Sequence, residues 1–268
     1  MFVKDTPEGF WLNIELFITW LFWMVDEQTG DLLQHPQSKL HPSEIVTLAL
    51  LKRLKGQAYR RFLVWLKNTG LFPNLPDYTR LCRLFYQYRH AIEVISRQIG
   101  QWDWTVADSV LCEVIHPIRE GRKTHWVGKN KSKGRWMVGI KIVVIVSPQG
   151  DILAWELDTA NVHDKHFSWL VEEIEVKVLA DSGFHAREGD PENLKICQRG
   201  EQNERMVVES VFSLCKRLLG LNNIVAKSLK GFRLAVASIF ALFNTLLDMN
   251  RRLGLFSLRP AIAHFCCL

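Results

Sequence analysis

The sequence predicts an α/β protein, one sheet with helices around it, preceded by an all-helical region over residues 1–100. Three observations carry this. Up to residue 100, apolar residues recur at helical spacing between capping and breaking signals. Near residue 102 the pattern turns to β-branched runs separated by turn residues. From there the order of elements is strand, hairpin, helix, strand, helix, an order that builds a single sheet. The chain has 268 residues, 48% of them hydrophobic and 23% charged. That is enough to bury a sizeable core, and it excludes disordered, collagenous and low-complexity classes.

In the helical region, Phe10 to Val25 is one apolar segment. His41-Pro42-Ser43-Glu44 opens the next helix, with Ser43 as the expected N-cap of the run Ile45–Leu54, and Gly56 ends it. Gln57 to Lys67 carries Phe62, Leu63 and Leu66 at helical spacing, and Asn68-Thr69-Gly70 stops it. Pro73 and Pro76 mark a loop, after which Asp77 caps a helix expected to reach Ile99. Lys52-Arg53, Arg60-Arg61, Arg80 and Arg83 give these helices basic faces. The faces fit either a helix-turn-helix-like DNA reader or a bundle with a solvated basic side.

Trp104 to Val110 reads as a strand with Asp108 near its end. Trp136 to Val146 is a long β-branched run, Ser147-Pro148-Gln149-Gly150 is a turn, and Asp151 to Asp158 supplies the antiparallel partner. His163 to Glu173 is expected as a helix, Val176 to Ala180 as a short buried strand ending at Asp181-Ser182-Gly183-Phe184, and Asn203 to Leu219 as a helix. Gly231 to Arg252 is expected as a core helix. The expected division is a helical region at 1–100, a candidate DNA-binding region, then a domain at 101–254 and a tail at 255–268.

Several classes are set aside. Met1 to Phe10 carries charges and a proline where a leader would be apolar. Ile14 to Val25 is apolar but short and holds Glu15, and Leu234 to Met249 is interrupted by Asn244 and Asp248, so neither is expected to span a membrane. Cysteines 82, 112, 197, 215, 266 and 267 form no metal-knuckle spacing and read as free thiols of a reducing cytosol, although the adjacent Cys266–Cys267 would be reactive. A Walker-type phosphate loop and a GxSxG elbow are both missing. A soluble, cytoplasmic protein is expected.

The chemistry is carried by acids. Asp108 and Asp181 follow apolar runs and would share one sheet edge if their strands are neighbours. Carboxylates at such positions need a partner, often a cation. Arg205, Glu209, Phe212 and Lys216 are spaced to share one helix face. Acids converging from three elements offer the hard oxygen donors that a pair of Mg²⁺ (or Mn²⁺) ions requires, and Arg205 and Lys216 would hold phosphates. Two such ions activate a water or a 3′-hydroxyl against a phosphodiester. Each acid alone has a plainer reading: Asp108 as a strand-end cap, Asp181 as the start of a tight turn, Glu209 as an ion-pair partner of Arg205. Asp164, beside His163, reads as a helix-start residue.

Net charge is +6. Residues 119–141 hold Arg119, Arg122, Lys123, Lys129, Lys131, Lys133, Arg135 and Lys141 against Glu120, and read as a flexible basic loop running into a strand. Residues 205–233 add Arg205, Lys216, Arg217, Lys227, Lys230 and Arg233 against Glu209, whereas 172–192 is acidic. Segregated positive charge of this kind suits phosphate contacts.

Five segments together resemble bacterial insertion-sequence transposases of the DDE type. They are Val106-Ala107-Asp108-Ser109, Gly139-Ile140-Lys141, Asn161-Val162-His163-Asp164, Ala180-Asp181-Ser182-Gly183-Phe184, and Arg205 through Ser213. The spacing of Arg205, Glu209 and Lys216 is the most specific of them. The resemblance covers about residues 100–250. It implies an RNase H-like mixed sheet flanked by helices, two divalent ions (Mg²⁺ or Mn²⁺), and cut-and-paste transfer of a transposon end. Asp108, Asp181 and Glu209 would be the catalytic, metal-holding acids. Arg205 and Lys216 would contact DNA beside them, with Lys129, Lys131, Lys133, Arg135, Lys141, Arg60 and Arg61 as further DNA contacts. The expected partners are double-stranded DNA, as terminal inverted repeats and target, and a second copy of the chain in a synaptic complex. Two departures stand out: Gln202 replaces the tyrosine expected three residues before the arginine, and the segment from Asp181 to Glu209 leaves no room for a large inserted domain. The alternatives are an inactive transposon-derived DNA-binding protein and an RNase H-like nuclease that cuts without joining.

Overall fold

Helix α1 (Ile14–Thr29) starts where the Asn13 side chain accepts the Leu16 N–H, and it buries Phe17, Ile18, Leu21, Met24 and Val25 along one stripe. The computed structural model describes residues 13–132, 134–197 and 204–254. Helix α2 (Pro42–Lys55) is capped not by Ser43 but by His41. The His41 backbone N–H donates to Glu44 at 2.6 Å, which frees Ser43 to donate to Asp26 of α1 and accept from Thr29. Helix α2 is buried nearly all round, and Lys52 goes with it: burial pushes its ammonium down to about 8, and it lies over the Tyr59 ring at 4.9 Å. Arg60 and Arg61 stay exposed on α3 (Tyr59–Thr69), as do Arg80 and Arg83 on α4 (Tyr78–Gln87). Asp77 caps α4 through the Thr79 and Arg80 N–H groups. The expected single helix to Ile99 is interrupted at Tyr88, and α5 (Arg89–Ile95) follows.

The described strands form one mixed, six-stranded sheet. They are β1 (Trp104–Ile115), β2 (Gly128–Ser132), β3 (Arg135–Val146), β4 (Ile152–Thr159), β5 (Lys177–Ala180) and β6 (Leu194–Ile196). Strand β3 is central. It pairs antiparallel with β1 on one side, and on the other with β2 along its first part and β4 along its second. Met137 onward is buried without alternation, as expected of a strand covered on both faces. Strands β1 and β5 are parallel neighbours, and β6 continues in parallel beyond β5. Two expectations change. Asp108 is not near a strand end, because β1 runs on to Ile115, and part of the expected basic loop is the strand β2.

One face of the sheet buries Ala107, Val143, Ile145, Ala154, Val178 and Ala180 against Phe167, Leu170, Val171 and Phe184. These last residues come from a 3₁₀ turn (Asp164–Phe167), helix α6 (Ser168–Glu172) and the turn after β5, so the expected helix at His163 to Glu173 begins as 3₁₀. Helix α7 (Met206–Leu218) buries Val208, Val211, Phe212, Leu214 and Cys215. Cys112 and Cys215 are free, and burial pushes the Cys112 thiol up to about 12. The adjacent Cys266 and Cys267 lie outside the described residues. This mixed sheet flanked by helices, preceded in the chain by a helical region, is the α/β arrangement expected from the sequence.

The chain divides into two compact units. One takes the described residues up to Ser96, Leu218–Gly220 and those from Leu234 onward; the other takes Arg97–Arg217 and Leu221–Arg233. Helix α8 (Leu229–Arg252) is longer than the apolar run that announced it. At 24 residues it is long and apolar enough to cross a membrane, yet 83% of its apolar window is buried inside the protein. Most of it belongs to the first unit. There the Asn244 side-chain amide donates to the Ser96 carbonyl, and Arg252 pairs with Glu27 at 2.8 Å and lies over the Trp23 ring.

Candidate active site

The site forms where β5 stops and β1 continues. Their parallel pairing aligns Trp104 with Lys177, Thr105 with Val178 and Val106 with Leu179. Continued two residues further, that register brings Asp108 and Asp181 level, but β5 has ended at Ala180. Asp181 instead caps a tight 3₁₀ turn (Ser182–Phe184), and its Oδ1 accepts the Gly183 N–H at 2.9 Å. Phe184, at the far end of the turn, is 1% exposed and anchors it in the core.

A guanidinium joins the two acids. Arg205, just before α7, places one Nη2 atom 3.6 Å from Asp108 and 3.6 Å from Asp181. Its Nε is buried without a hydrogen-bond partner, so Arg205 is held by charge rather than by a saturated set of hydrogen bonds. Burial pushes the Asp108 carboxyl up to about 6; the Ser109 N–H and Arg205 pull it down, and the charges of Asp181 and Asp164 push it up further.

Asp164 belongs to this group. Its carboxylate holds the ammonium of Lys141 at 2.7 Å, and both side chains are largely buried. Successive β-strand residues point to opposite faces. Asp108 therefore lies on the opposite face from the Ala107 core, whereas Lys141 shares the face of Val143 and Ile145. The acids and their counter-ions thus approach the gap beside β5 from both sides of the sheet.

A cleft of about 910 Å³ opens here, lined by Asp108, Glu113, Arg135, Met137, Lys141, Glu209, Phe212, Lys216 and Arg217. Glu209 stands on its wall with an exposed side chain. Among the described residues no group of three His, Cys, Asp or Glu is close enough to hold a metal ion, so Asp108, Asp181 and Glu209 are not drawn together as a triad. The donor chemistry still fits a hard cation: Asp108 and Asp181 are carboxylates converging on a single positive group.

Lys216 is half-buried on the cleft wall, with its ammonium 6.0 Å from the Phe212 ring centroid. Arg135 pairs with Glu113 at 3.0 Å at the rim. Lys129 pairs with Glu120 at 2.6 Å and lies over Trp136, Lys131 is exposed, and Lys133 falls outside the described residues. Gln202 also falls outside them. Arg60 and Arg61 belong to the helical unit and are not among the residues that line the cleft. Sequence reasoning set Asp164 aside as a helix-start residue. The signal that would have found it is Lys141: a lysine inside a β-branched run must be paired if it is buried.

Residues 103–195 match the transposase DDE domain. This match supports a DDE transposase. It begins beside β1 and ends in β6, so it takes in Asp108, Lys141, Asp164 and Asp181 and stops short of Arg205, Glu209 and Lys216. No curated protein matches the chain.

Proposed function

We propose that this protein is a DDE-type transposase that cuts DNA phosphodiesters and joins the freed 3′ end to a target. The observation that carries the reading is the meeting on Arg205 of Asp108 and Asp181, both within the segment similar to the transposase DDE domain, with Asp108 also lining a basic-walled cleft. Asp108 and Asp181 would hold Mg²⁺ or Mn²⁺, with Glu209 on the wall as the third acid. A bound divalent ion supplies the Lewis acidity that activates the attacking oxygen and stabilises the leaving one. The chain's own part is electrostatic. Lys216, Arg217 and Arg135 line the cleft with positive charge for the phosphates of the strand to be cut. Arg205 balances the two aspartates and keeps them side by side. The exposed Arg60 and Arg61 of the helical unit extend the DNA contacts, and pairing of two protomers on two ends would complete the synapse.

Nicking of a supercoiled duplex in Mn²⁺ tests this. The wild type is expected to nick, and Asp108→Asn and Asp181→Asn are each expected to lose at least a hundredfold in rate while still binding duplex. Cleavage intact in both variants would sink the reading. A second reading, DNA binding without cleavage, draws on the exposed position of Glu209 and the lack of a tight acid triad among the described residues. Duplex binding with no nicking by the wild type would favour it.

A further inference from the structure

We propose that Asp164, anchored by Lys141, is a positioning residue for Asp181, acting through the space above Gly183. The inference rests on the metal-holding role given above to Asp181. A β-carbon built on Gly183 would lie 2.9 Å from Asp164 Oδ2 and 2.9 Å from Asp181 Oδ1. The two carboxylates therefore share the volume that any other residue would fill with its side chain. Two like charges do not crowd together without support. The support is visible on the outer side of each. The other oxygen of Asp164 is held by Lys141 at 2.7 Å, and the other oxygen of Asp181 faces Arg205 at 3.6 Å. From contact to contact the charges run Lys141, Asp164, Asp181, Arg205, Asp108, alternating except at one like-charged junction over Gly183.

Lys141 is fixed on a strand buried on both faces, so it cannot follow its partner, and Asp164 cannot leave without stranding a buried ammonium. Asp164 consequently forms a fixed negative wall beside Asp181. The wall limits the directions in which the Asp181 carboxylate can point and raises the benefit of a cation arriving next to it. Partners behind a metal-holding group have this effect generally, and their loss weakens metal affinity about ten- to a hundredfold.

Gly183→Ala tests the idea without removing any charge. Its methyl group would enter the shared volume, and with Asp164 held by Lys141 the Asp181 carboxylate is the group that must give way. A second variant, Lys141→Met with Asp164→Leu, replaces the buried pair by apolar side chains of similar bulk, a change proteins commonly tolerate. Mn²⁺ binding, without DNA, would be followed by calorimetry alongside thermal unfolding of the metal-free protein. Both variants are expected to bind Mn²⁺ at least about tenfold more weakly than the wild type, with thermal midpoints close to it. A merely structural pair would instead shift the midpoint and leave the affinity alone, and that result would overturn the inference. Mn²⁺ binding that disappears in Asp181→Ala but is unchanged in both variants would overturn it while leaving the metal role of Asp181 intact. A wild type that binds no Mn²⁺ would remove both.

Discussion

Asp108 is a carboxylate forced to live with little water. Its side chain is 18% exposed and its carboxyl is pushed up to about 6, above the ordinary aspartate value near 3.8. A raised carboxyl pKa means the folded protein holds that proton more tightly than the unfolded chain does. Stability contributed by the protonated form is present at low pH and is lost as pH rises from about 4 through about 6. Asp108→Asn removes the titration. The variant is expected to match the wild type in unfolding free energy near pH 4 and to exceed it by about 3 kcal/mol at pH 7 without metal. Denaturant titrations at the two pH values read this directly, and a pH-independent difference would contradict it. At the same scale, Asp108 and Asp181 were legible in the sequence because each follows an apolar run. Asp164 was not, since one acid at the start of a turn looks the same whether it faces solvent or a buried lysine.

Among the elements, legibility followed hydrophobic pattern. Strand β3 was plain from eleven consecutive residues with little polar interruption, and β5 from the short run before Asp181. Strand β2, Gly-Lys-Asn-Lys-Ser, has no apolar alternation, and it is a strand because β3 offers it an antiparallel edge. The three residues of β6 are too few to show a period. The break at Tyr88 lacks a glycine or proline to announce it, and His41 displaced Ser43 as a cap because Ser43 is more useful between Asp26 and Thr29. The turn after β5 depends on its apolar end. Phe184→Ala would leave a cavity beneath the Asp181 turn and is expected to cost about 3–5 kcal/mol in unfolding free energy. A cost below 1 kcal/mol would mean that Phe184 does not anchor the turn.

For the molecule as a whole, positive charge gathered on one cleft matters more than the net excess. Duplex affinity is expected to fall steeply with salt, as the release of condensed counterions requires. Lys216→Gln and Arg217→Gln should each reduce the slope of log affinity against log salt by about one, in duplexes of any sequence. An unchanged slope in both variants would place the DNA elsewhere. The sequence pattern changes near residue 102, and the compact units exchange segments across that point, Leu218–Gly220 and the residues from Leu234 onward grouping with the early helices. Contacts between elements distant in the chain, such as that between Asn244 and Ser96, leave no local signature to read.

That contact has a consequence for how the protein is made. The first unit is built from the beginning of the chain and from the end of α8. During synthesis the early helices leave the ribosome with their apolar stripes uncovered, and the residues that close over them are translated more than a hundred positions later. The sheet unit, whose residues are complete by Arg233, can settle first. A premature stop late in the reading frame would therefore do its damage at the opposite end of the polypeptide, leaving the cleft's residues present and the leading helices without their lid.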